Sequence, residues 1–166
     1  MRDVWRQARE MVVWTNGCFD LLHPGHIQNL AEARAQGDIL IVGLNSDRSI
    51  GEIKGPDRPI LNERFRVNML AALEAVDYVL LFDEATPIAA LEKLQPDVHC
   101  KGEDYADNIK PIPERETVER YGGRIHFLAF VPGVSTTELI QKIREASGNQ
   151  RVASSNSAAV TAQVPG

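Results

Sequence analysis

The chain has 166 residues, of which 43% are hydrophobic and 25% are charged, a composition that favours one soluble globular domain. Its net charge of −5 argues against a nucleic-acid or anionic-membrane partner, and its two cysteines are too few for a disulfide framework. Since the sequence has no apolar run of about 18 residues and no signal-peptide pattern, we expect a cytoplasmic protein.

Short apolar segments alternate with helical ones along the chain, after a short leading helix over residues 1–10. The apolar segments are continuous and rich in Val, Ile, Leu and Phe, which is typical of strands covered on both faces. The predicted strands are Met11–Thr15, Ile39–Leu44, Tyr78–Phe82, Val98–Lys101 and Ile125–Phe130. This order predicts an α/β fold in which a five-stranded parallel sheet lies between two layers of helices.

Capping and turn residues mark the ends of the predicted helices. Pro24 suits the first turn of one helix, and Gly37 suits the position just after its end. Asn62 can cap a helix that runs to about Ala75. The apolar face of that helix is predicted to contain Phe65, Met69, Leu70 and Leu73. Further helices are predicted from Thr86-Pro87 to Leu94, over Glu114–Tyr121 before Gly122-Gly123, and from Ser135.

From Ser147 onward the chain is rich in Ser, Ala, Asn and Gln, with little charge and no periodicity. Such a segment buries too little apolar surface to fold. We therefore expect a single domain over residues 1–146 and a disordered tail over 147–166.

Two histidines lie at the joint between the first predicted strand and the first predicted helix, in the segment His23-Pro24-Gly25-His26. In an open α/β sheet ligands bind at such joints, and a helix N-terminus there attracts anions. The joint therefore predicts a phosphate site with two imidazoles. The alternatives are a helix-capping pair, or a zinc site of Cys18, His23 and His26 that has no convincing fourth ligand.

A second possible anion site begins the last predicted helix. Ser135-Thr136-Thr137-Glu138 has the spacing of a capping box, which is a purely structural motif in most proteins. Its hydroxyl groups and helix N-terminus can also bind the β- and γ-phosphates of a nucleotide. We expect both roles to hold.

Four basic residues are candidates for holding phosphate in this acidic chain: Lys54, Arg58, Arg64 and Lys101. Lys54 lies in Gly51–Pro56, which we expect to be a flexible loop that closes over phosphates. Arg64 lies in the first turn of a helix, where a cation is electrostatically unfavourable and a ligand would explain it. Lys101 ends a strand at the ligand edge of the sheet, and its alternative is an ion pair with Glu103 or Asp104.

Acidic residues near the same edge have less specific roles. Asp20 and Asp104 are candidates for an indirect contact to Mg²⁺ or for orienting site residues, and Asp47 is a candidate for contacting a nucleotide. Mg²⁺ keeps water ligands and takes much of its coordination from substrate phosphates. Gly25 allows the backbone to approach a ligand closely, although simple turn geometry explains a glycine there equally well.

These segments together resemble the HxGH nucleotidyltransferase (cytidylyltransferase-like) superfamily, from about Thr15 to Ile143. The HxGH and GxSTT elements carry the resemblance, with Asn45-Ser46-Asp47 and Glu63-Arg64 between them. Thr15-Asn16-Gly17-Cys18-Phe19-Asp20, Ala72–Asp77 and Lys101–Tyr105 are most similar to the D-glycero-β-D-manno-heptose 1-phosphate adenylyltransferases. Those enzymes make ADP-heptose for the lipopolysaccharide core.

The resemblance implies a Rossmann-like fold and transfer of AMP from ATP, with Mg²⁺, to a sugar 1-phosphate. It implies that His23, His26 and Lys54 act on the triphosphate, with His26 nearer the α-phosphate, and that the protein is a homodimer. The implied nucleotide-binding residues are Gly17, Cys18, Phe19, Asp20, Gly25, Asp47, Arg64, Lys101, Gly102, Asp104, Ser135, Thr136 and Thr137.

Two other functions fit the same fold. One is cytidylyl transfer to glycerol 3-phosphate or another small phosphate. Phe130 argues against it, because the glycerol-phosphate enzymes have an arginine at that position. The other is a nucleotide-binding module without turnover, which the intact histidines and Ser-Thr-Thr element disfavour.

Overall fold

The computed structural model describes residues 2–102, 111–129, 133 and 135–157. Its elements, in chain order, are α1 (Arg2–Ala8), β1 (Val12–Gly17), α2 (Pro24–Arg34), β2 (Ile39–Asn45), α3 (Asp47–Lys54), α4 (Glu63–Ala71), β3 (Tyr78–Phe82), α5 (Ile88–Leu94), β4 (Val98–Gly102), α6 (Arg115–Arg120), β5 (Arg124–Leu128) and α7 (Thr136–Ser157).

The five strands form one parallel sheet in the order β3-β2-β1-β4-β5, which confirms the predicted fold class. The chain moves outward from β1 through β2 to β3 and then returns to the other side of β1 as β4. The strand order therefore reverses between β1 and β4, where doubly wound sheets bind their ligands.

Alternation along β1 supplies both faces of the sheet. Val13 packs in a cluster with Leu30, Leu40, Val98 and other buried side chains. Its neighbours Val12 and Trp14 pack in a second cluster with Trp5, Leu91 and Val118. Successive side chains of a strand point to opposite faces, so β1 has a hydrophobic core on each side.

Two glycines make close packing on the sheet possible. A Cβ at Gly43 of β2 would collide with the Trp14 ring, so the indole extends over the neighbouring strand at that point. A Cβ at Gly37 would lie 2.7 Å from the Met11 carbonyl oxygen. The prediction that Gly37 ends α2 is wrong, because α2 ends at Arg34 with Ala35 as its C-cap. Gly37 is required instead for the approach of the next loop to β1.

Several other element boundaries differ from the predicted ones. Asn62 caps α4 as predicted, through a hydrogen bond from the Phe65 N–H, but the helix ends at Ala71. Phe65 is 54% exposed, so it does not belong to the buried face of α4. Gly122 follows α6 with a φ of 83°, which suits a helix terminus. Apart from β3, the strands begin or end one or two residues from their predicted bounds. Phe130, the predicted last residue of β5, lies outside the described residues.

The chain divides into two compact units, Met1–Pro132 and Gly133–Gly166. The first unit contains the sheet and α1 to α6, and the second contains α7. This boundary falls inside the domain predicted over 1–146. α7 continues to Ser157, beyond the Ser147 at which the sequence predicts a disordered tail to begin.

Candidate functional site

The turn that joins β1 to α2 brings the two predicted histidines together. Pro24 occupies the first helical position, and His23 is the N-cap residue, with an extended backbone and no side-chain capping bond. The alternative that the histidines are a helix-capping pair is therefore wrong. The side chain of His23 is left available for another contact.

His23 and His26 stack on each other, with ring centroids 3.7 Å apart and an angle of 24° between the ring planes. Phe19 packs against His26 at a centroid distance of 5.1 Å. Phe19 is buried and its φ is 44°, so this backbone conformation directs the aromatic ring toward the imidazole. The Nδ1 atom of His23 is buried and has no hydrogen-bond partner among the described residues.

The environment keeps both imidazoles neutral near pH 7. Burial lowers the pKa of His23. Burial, together with the nearby His23 and Lys54, lowers the pKa of His26 to about 4, although a hydrogen bond with the Leu21 backbone acts in the opposite direction. A neutral imidazole has one N–H donor and one acceptor nitrogen. His23 can therefore donate to an anion while it is neutral, whereas His26, which is bonded to the Leu21 backbone, donates to an anion through its other nitrogen when it takes up a proton.

Lys54 lies close enough to His26 for its charge to lower the pKa of that histidine. The prediction that Lys54 lies in a loop is wrong, because it is the last residue of α3. Gly55 follows with a φ of 98° and ends the helix. Because the Lys54 side chain is exposed, its ammonium group can reach a ligand beside the histidine pair.

Asp20 holds the segment after α3 against the turn that precedes the histidines. Its buried carboxylate accepts hydrogen bonds from Arg58 Nε at 2.6 Å and from the N–H groups of Ile60 and Leu61 at 2.7 and 3.0 Å. Burial alone raises the pKa of Asp20, but the hydrogen bonds from Leu61, Ile60 and Arg58 outweigh this effect and lower the pKa. Of its two predicted roles, these contacts support orientation of the site.

The sequence analysis missed Arg66, whose side chain is 0% exposed. Its guanidinium group donates to the carbonyl oxygens of Cys18 at 2.7 Å, Asn45 at 2.8 Å and Leu61 at 2.9 Å. It also pairs with the Asp47 carboxylate at 2.7 Å. Arg66 therefore connects the ends of β1 and β2 to the N-termini of α3 and α4.

Two other predicted site residues, Asp47 and Arg64, differ in their contacts. The Asp47 carboxylate is held by Arg66 and its N–H by Glu63 Oε2 at 2.9 Å, so the side chain predicted to contact a nucleotide is already engaged. Arg64 lies on the exposed side of α4 and makes no hydrogen bond or ion pair among the described residues. One signal for Arg66 was available, because it precedes Leu70 by one helical turn and so shares its buried face.

Lys101 lies at the end of β4, as predicted, and pairs with Glu114 at 3.0 Å. Both side chains are largely buried, with 11% and 3% exposure. The alternative partners Glu103 and Asp104 lie outside the described residues. The predicted role of Asp104 in the site therefore stays a prediction. The adjacent Gly102 ends β4.

A recess of about 150 Å³ lies at the carboxyl ends of β1 and β4, where the strand order reverses. Five predicted site residues line it: Gly17, Cys18, Phe19, His26 and Gly102. Its other lining residues are Thr15, Asn16, Asn29, Leu30 and Leu128. Three larger grooves among the described residues, of about 420, 460 and 500 Å³, contain none of the predicted site residues. The recess is therefore the cavity that belongs to the histidine site.

The second unit carries the Ser-Thr-Thr element at the start of its helix. Ser135 Oγ accepts a hydrogen bond from the Glu138 N–H at 3.1 Å, which confirms half of the predicted capping box. Thr136 and Thr137 form the first turn of α7. Their predicted contact with phosphate remains a prediction.

The part of the chain that the structure describes contains no group of three or more His, Cys, Asp or Glu side chains that could hold a metal ion. The zinc alternative built on Cys18 and the two histidines therefore lacks its ligand geometry. None of the described helices is both long and apolar enough to span a membrane.

Comparison with known proteins gives a consistent match. The cytidylyltransferase-like family model matches residues 14–142. "Bifunctional protein HldE" of Geobacter sulfurreducens is 51% identical over 139 residues, which are 84% of this chain and 28% of that protein. Its counterpart in Geotalea uraniireducens is 52% identical over 136 residues, or 82% of this chain and 27% of that protein. The chain thus spans a little over a quarter of the length of these curated relatives.

A solved structure shares the fold. The crystal structure of the lipopolysaccharide core biosynthesis protein from Thermoplasma volcanium GSS1 superposes with a TM-score of 0.58 at 27% identity. The superposition covers 74% of this chain and 97% of that one.

Proposed function

The chain belongs to the cytidylyltransferase-like family, and we propose that it transfers AMP from ATP to D-glycero-β-D-manno-heptose 1-phosphate. The products are ADP-heptose and pyrophosphate. The observation that carries the proposal is the stacked, neutral His23–His26 pair at the N-terminus of α2, beside the recess between β1 and β4. The heptose is supported by the resemblance of the Thr15–Asp20 segment, and by similarity to a lipopolysaccharide core biosynthesis protein.

The reaction needs charge stabilisation more than it needs a base. A phosphate monoester has a second pKa near 6, so the sugar phosphate is mostly a dianion at neutral pH. One of its oxygens attacks the α-phosphorus of ATP, a new P–O bond forms, and the bond to the β-phosphate oxygen breaks. Pyrophosphate leaves with the bonding electrons. Catalysis therefore consists of positioning two anions and stabilising the charge that moves to the leaving group.

The residues of the turn and α3 supply that stabilisation. His23 and His26 donate N–H groups to the triphosphate. At the start of α2, Pro24 has no N–H and the His26 N–H is bonded to the His23 carbonyl oxygen at 2.9 Å, so the Gly25 amide supplies the backbone N–H for the same anion. Lys54 contributes a full positive charge beside them. Lys101, Arg64 and the hydroxyl groups of Thr136 and Thr137 remain candidates for phosphate contacts.

Mg²⁺ enters this proposal as part of the substrate MgATP. The described carboxylates nearest the histidine site do not fit a protein-held metal, since Asp20 is engaged by Arg58 and Asp47 by Arg66. A cation that keeps its waters and binds substrate phosphates needs no such ligands. We also propose that the protein is cytoplasmic and that it forms a homodimer. Sizing chromatography tests the homodimer.

The activity is tested by incubating the protein with MgATP and a panel of sugar 1-phosphates while pyrophosphate release is followed. We expect release with the heptose 1-phosphate and little with hexose 1-phosphates. The same panel run with CTP and glycerol 3-phosphate tests the cytidylyl alternative. If pyrophosphate is released only with CTP, the choice of nucleotide is wrong. If none of the sugar phosphates in the panel causes pyrophosphate release, the proposed acceptor is wrong.

A further inference from the structure

Two residues that line the recess between β1 and β4 each have a buried polar atom without a hydrogen-bond partner among the described residues. The two atoms are Asn16 Oδ1 and Asn29 Oδ1. Asn16 lies on β1, whereas Asn29 lies one turn after His26 on α2. A buried polar atom without a partner costs about 1 to 3 kcal/mol. Two such atoms beside one small cavity indicate that a ligand supplies their partners.

An ionised phosphate does not fit these two atoms. Among the described residues that line the recess there is no lysine or arginine. The two asparagine oxygens accept hydrogen bonds, and so do the oxygens of an ionised phosphate, so a phosphate cannot supply their partners. The group that occupies the recess must donate hydrogen bonds.

Hydroxyl groups meet this requirement better than any other common substituent. A hydroxyl donates one hydrogen bond and accepts others, so it pairs with an amide oxygen, an amide nitrogen or a neutral imidazole. The remaining lining includes Leu30, Leu128 and Phe19, which can pack against the C–H groups of a ring. At about 30 Å³ for each water molecule, the volume of the recess corresponds to about five waters, which suits one face of a sugar ring.

We propose that this recess is a hydroxyl-recognition subsite in which Asn16 and Asn29 bind a sugar ring. The inference rests on the proposed nucleotidyl transfer, because His26 lines the recess and also faces the triphosphate. Each substrate of that reaction contains a sugar joined to phosphate. The hydroxyl groups therefore belong either to the acceptor sugar or to the ribose of the nucleotide. The shared chemistry is a ring with adjacent hydroxyl groups.

The test measures KM for heptose 1-phosphate and for ATP in Asn29→Leu and Asn16→Leu, which keep side-chain size and remove the amide. Gln28→Leu is the matched control, because its exposed amide lies next to Asn29 on the same helix. We expect each recess variant to raise one KM by about tenfold, the loss of roughly one net hydrogen bond. The Gln28 variant should leave both values within twofold.

Two further arms identify the source of the hydroxyl groups. A rise in KM for the sugar phosphate alone assigns the recess to the acceptor. A rise in KM for ATP that disappears when 3′-deoxy-ATP or 2′-deoxy-ATP is used assigns it to the ribose.

Failure of the subsite and failure of the proposed function give different results. Wild-type protein that releases no pyrophosphate with any sugar phosphate contradicts the proposed function. Calorimetric titration with ATP and with sugar phosphates then tests the recess directly in the wild type and in both leucine variants. If the folded variants match the wild type in every KM and Kd within twofold, the hydroxyl subsite is wrong. Near-ultraviolet circular dichroism establishes that the variants are folded.

Discussion

Two neighbouring regions of the first unit treat their polar groups in opposite ways. In the β1–α2 region, residues 16–29, the atoms Asn16 Oδ1, His23 Nδ1 and Asn29 Oδ1 are buried and have no partner among the described residues. In the region of α3, the following loop and α4, residues 47–66, the arginines Arg58 and Arg66 are buried or nearly so and are bonded to carboxylates and carbonyl groups. Arg58 Nη2 is the one buried side-chain atom of that region without a partner among the described residues. The first region is built to meet a ligand, and the second is built to hold the first in place.

The largest effect is expected from removing the charge at the centre of the holding region. Arg66→Met should lower the free energy of unfolding by about 3 to 5 kcal/mol, because it removes a fully buried cation that pairs with the partly exposed Asp47 and leaves three carbonyl oxygens without their donor. Arg64→Met, on the exposed side of the same helix, should change it by less than about 0.5 kcal/mol. Urea denaturation measures both. Equal destabilisation by the two variants contradicts the assignment of Arg66 as the holding residue.

The ligand-facing region should respond in activity and not in stability. His26→Ala should lower kcat by about a hundredfold to a thousandfold, since it removes a hydrogen-bond donor from charge that develops on phosphate. His126→Gln is the control, because His126 lies on β5 beside Glu32 and does not line the recess. Steady-state pyrophosphate release measures the effect. A His26 variant that keeps more than a tenth of the wild-type kcat contradicts the proposed role.

Asp20 tests whether the two regions act as one body. Asp20→Asn keeps an acceptor for Ile60 and Leu61 but loses the charge opposite Arg58, so it should cost about 2 kcal/mol of stability. Because the loop carries the end of α3, KM for ATP should rise as well. Asp57→Asn, an exposed change in the same loop, should alter neither value. If the Asp20 variant is as stable as the wild type and its KM for ATP is unchanged, the two regions do not act as one body.

Stability should also depend on pH, and this dependence distinguishes the two buried histidines. The pKa of His26 is lowered to about 4, and burial with the nearby Lys101 lowers the pKa of His99 to about 3, both from the ordinary 6.5. Below pH 6.5 the unfolded chain binds protons that the folded chain does not, so stability should fall as the pH drops toward 4. The slope should be at most about 1.4 kcal/mol per pH unit for each histidine.

Denaturation at pH 7, 6 and 5 measures this slope, and His99→Phe should remove about one proton from it. Saturating MgATP should remove the share of His26, because a bound anion raises the pKa of that imidazole, and it should leave the share of His99. A slope that MgATP leaves unchanged contradicts contact between His26 and phosphate.

The sequence predicted the fold well because its signals are local. β3 was predicted to the residue, since Tyr78–Phe82 is a continuous apolar run bounded by polar residues. Asn62 was identified as a cap for the same reason, because the capping bond spans only three residues. The histidine pair also followed from local order, since both rings lie within four residues at a helix N-terminus.

The contacts that hold the site were not predictable in this way. Asp20 and Arg58 are 38 residues apart, and Arg66 and Cys18 are 48 residues apart, so no local pattern joins them. Charged residues are usually solvated, so the sequence offered no reason to expect Arg66 in the core, whereas Arg64 stood out because a cation in the first turn of a helix suggests a ligand. Asn16 and Asn29 were overlooked because a neutral amide has no pattern of its own. Their significance depends on the absence of nearby partners among the described residues, which only the tertiary structure reveals.

The Asp20 carboxylate has a consequence for the loop that follows α3. Ile60 and Leu61 belong to no helix or strand, yet their amide protons are bonded to a carboxylate that is 1% exposed. Such protons exchange with solvent only when the carboxylate itself becomes accessible. Hydrogen exchange at these two amides should therefore be as slow as exchange within β1. The part of this loop that contains Ile60 and Leu61 is, by this measure, an extension of the core.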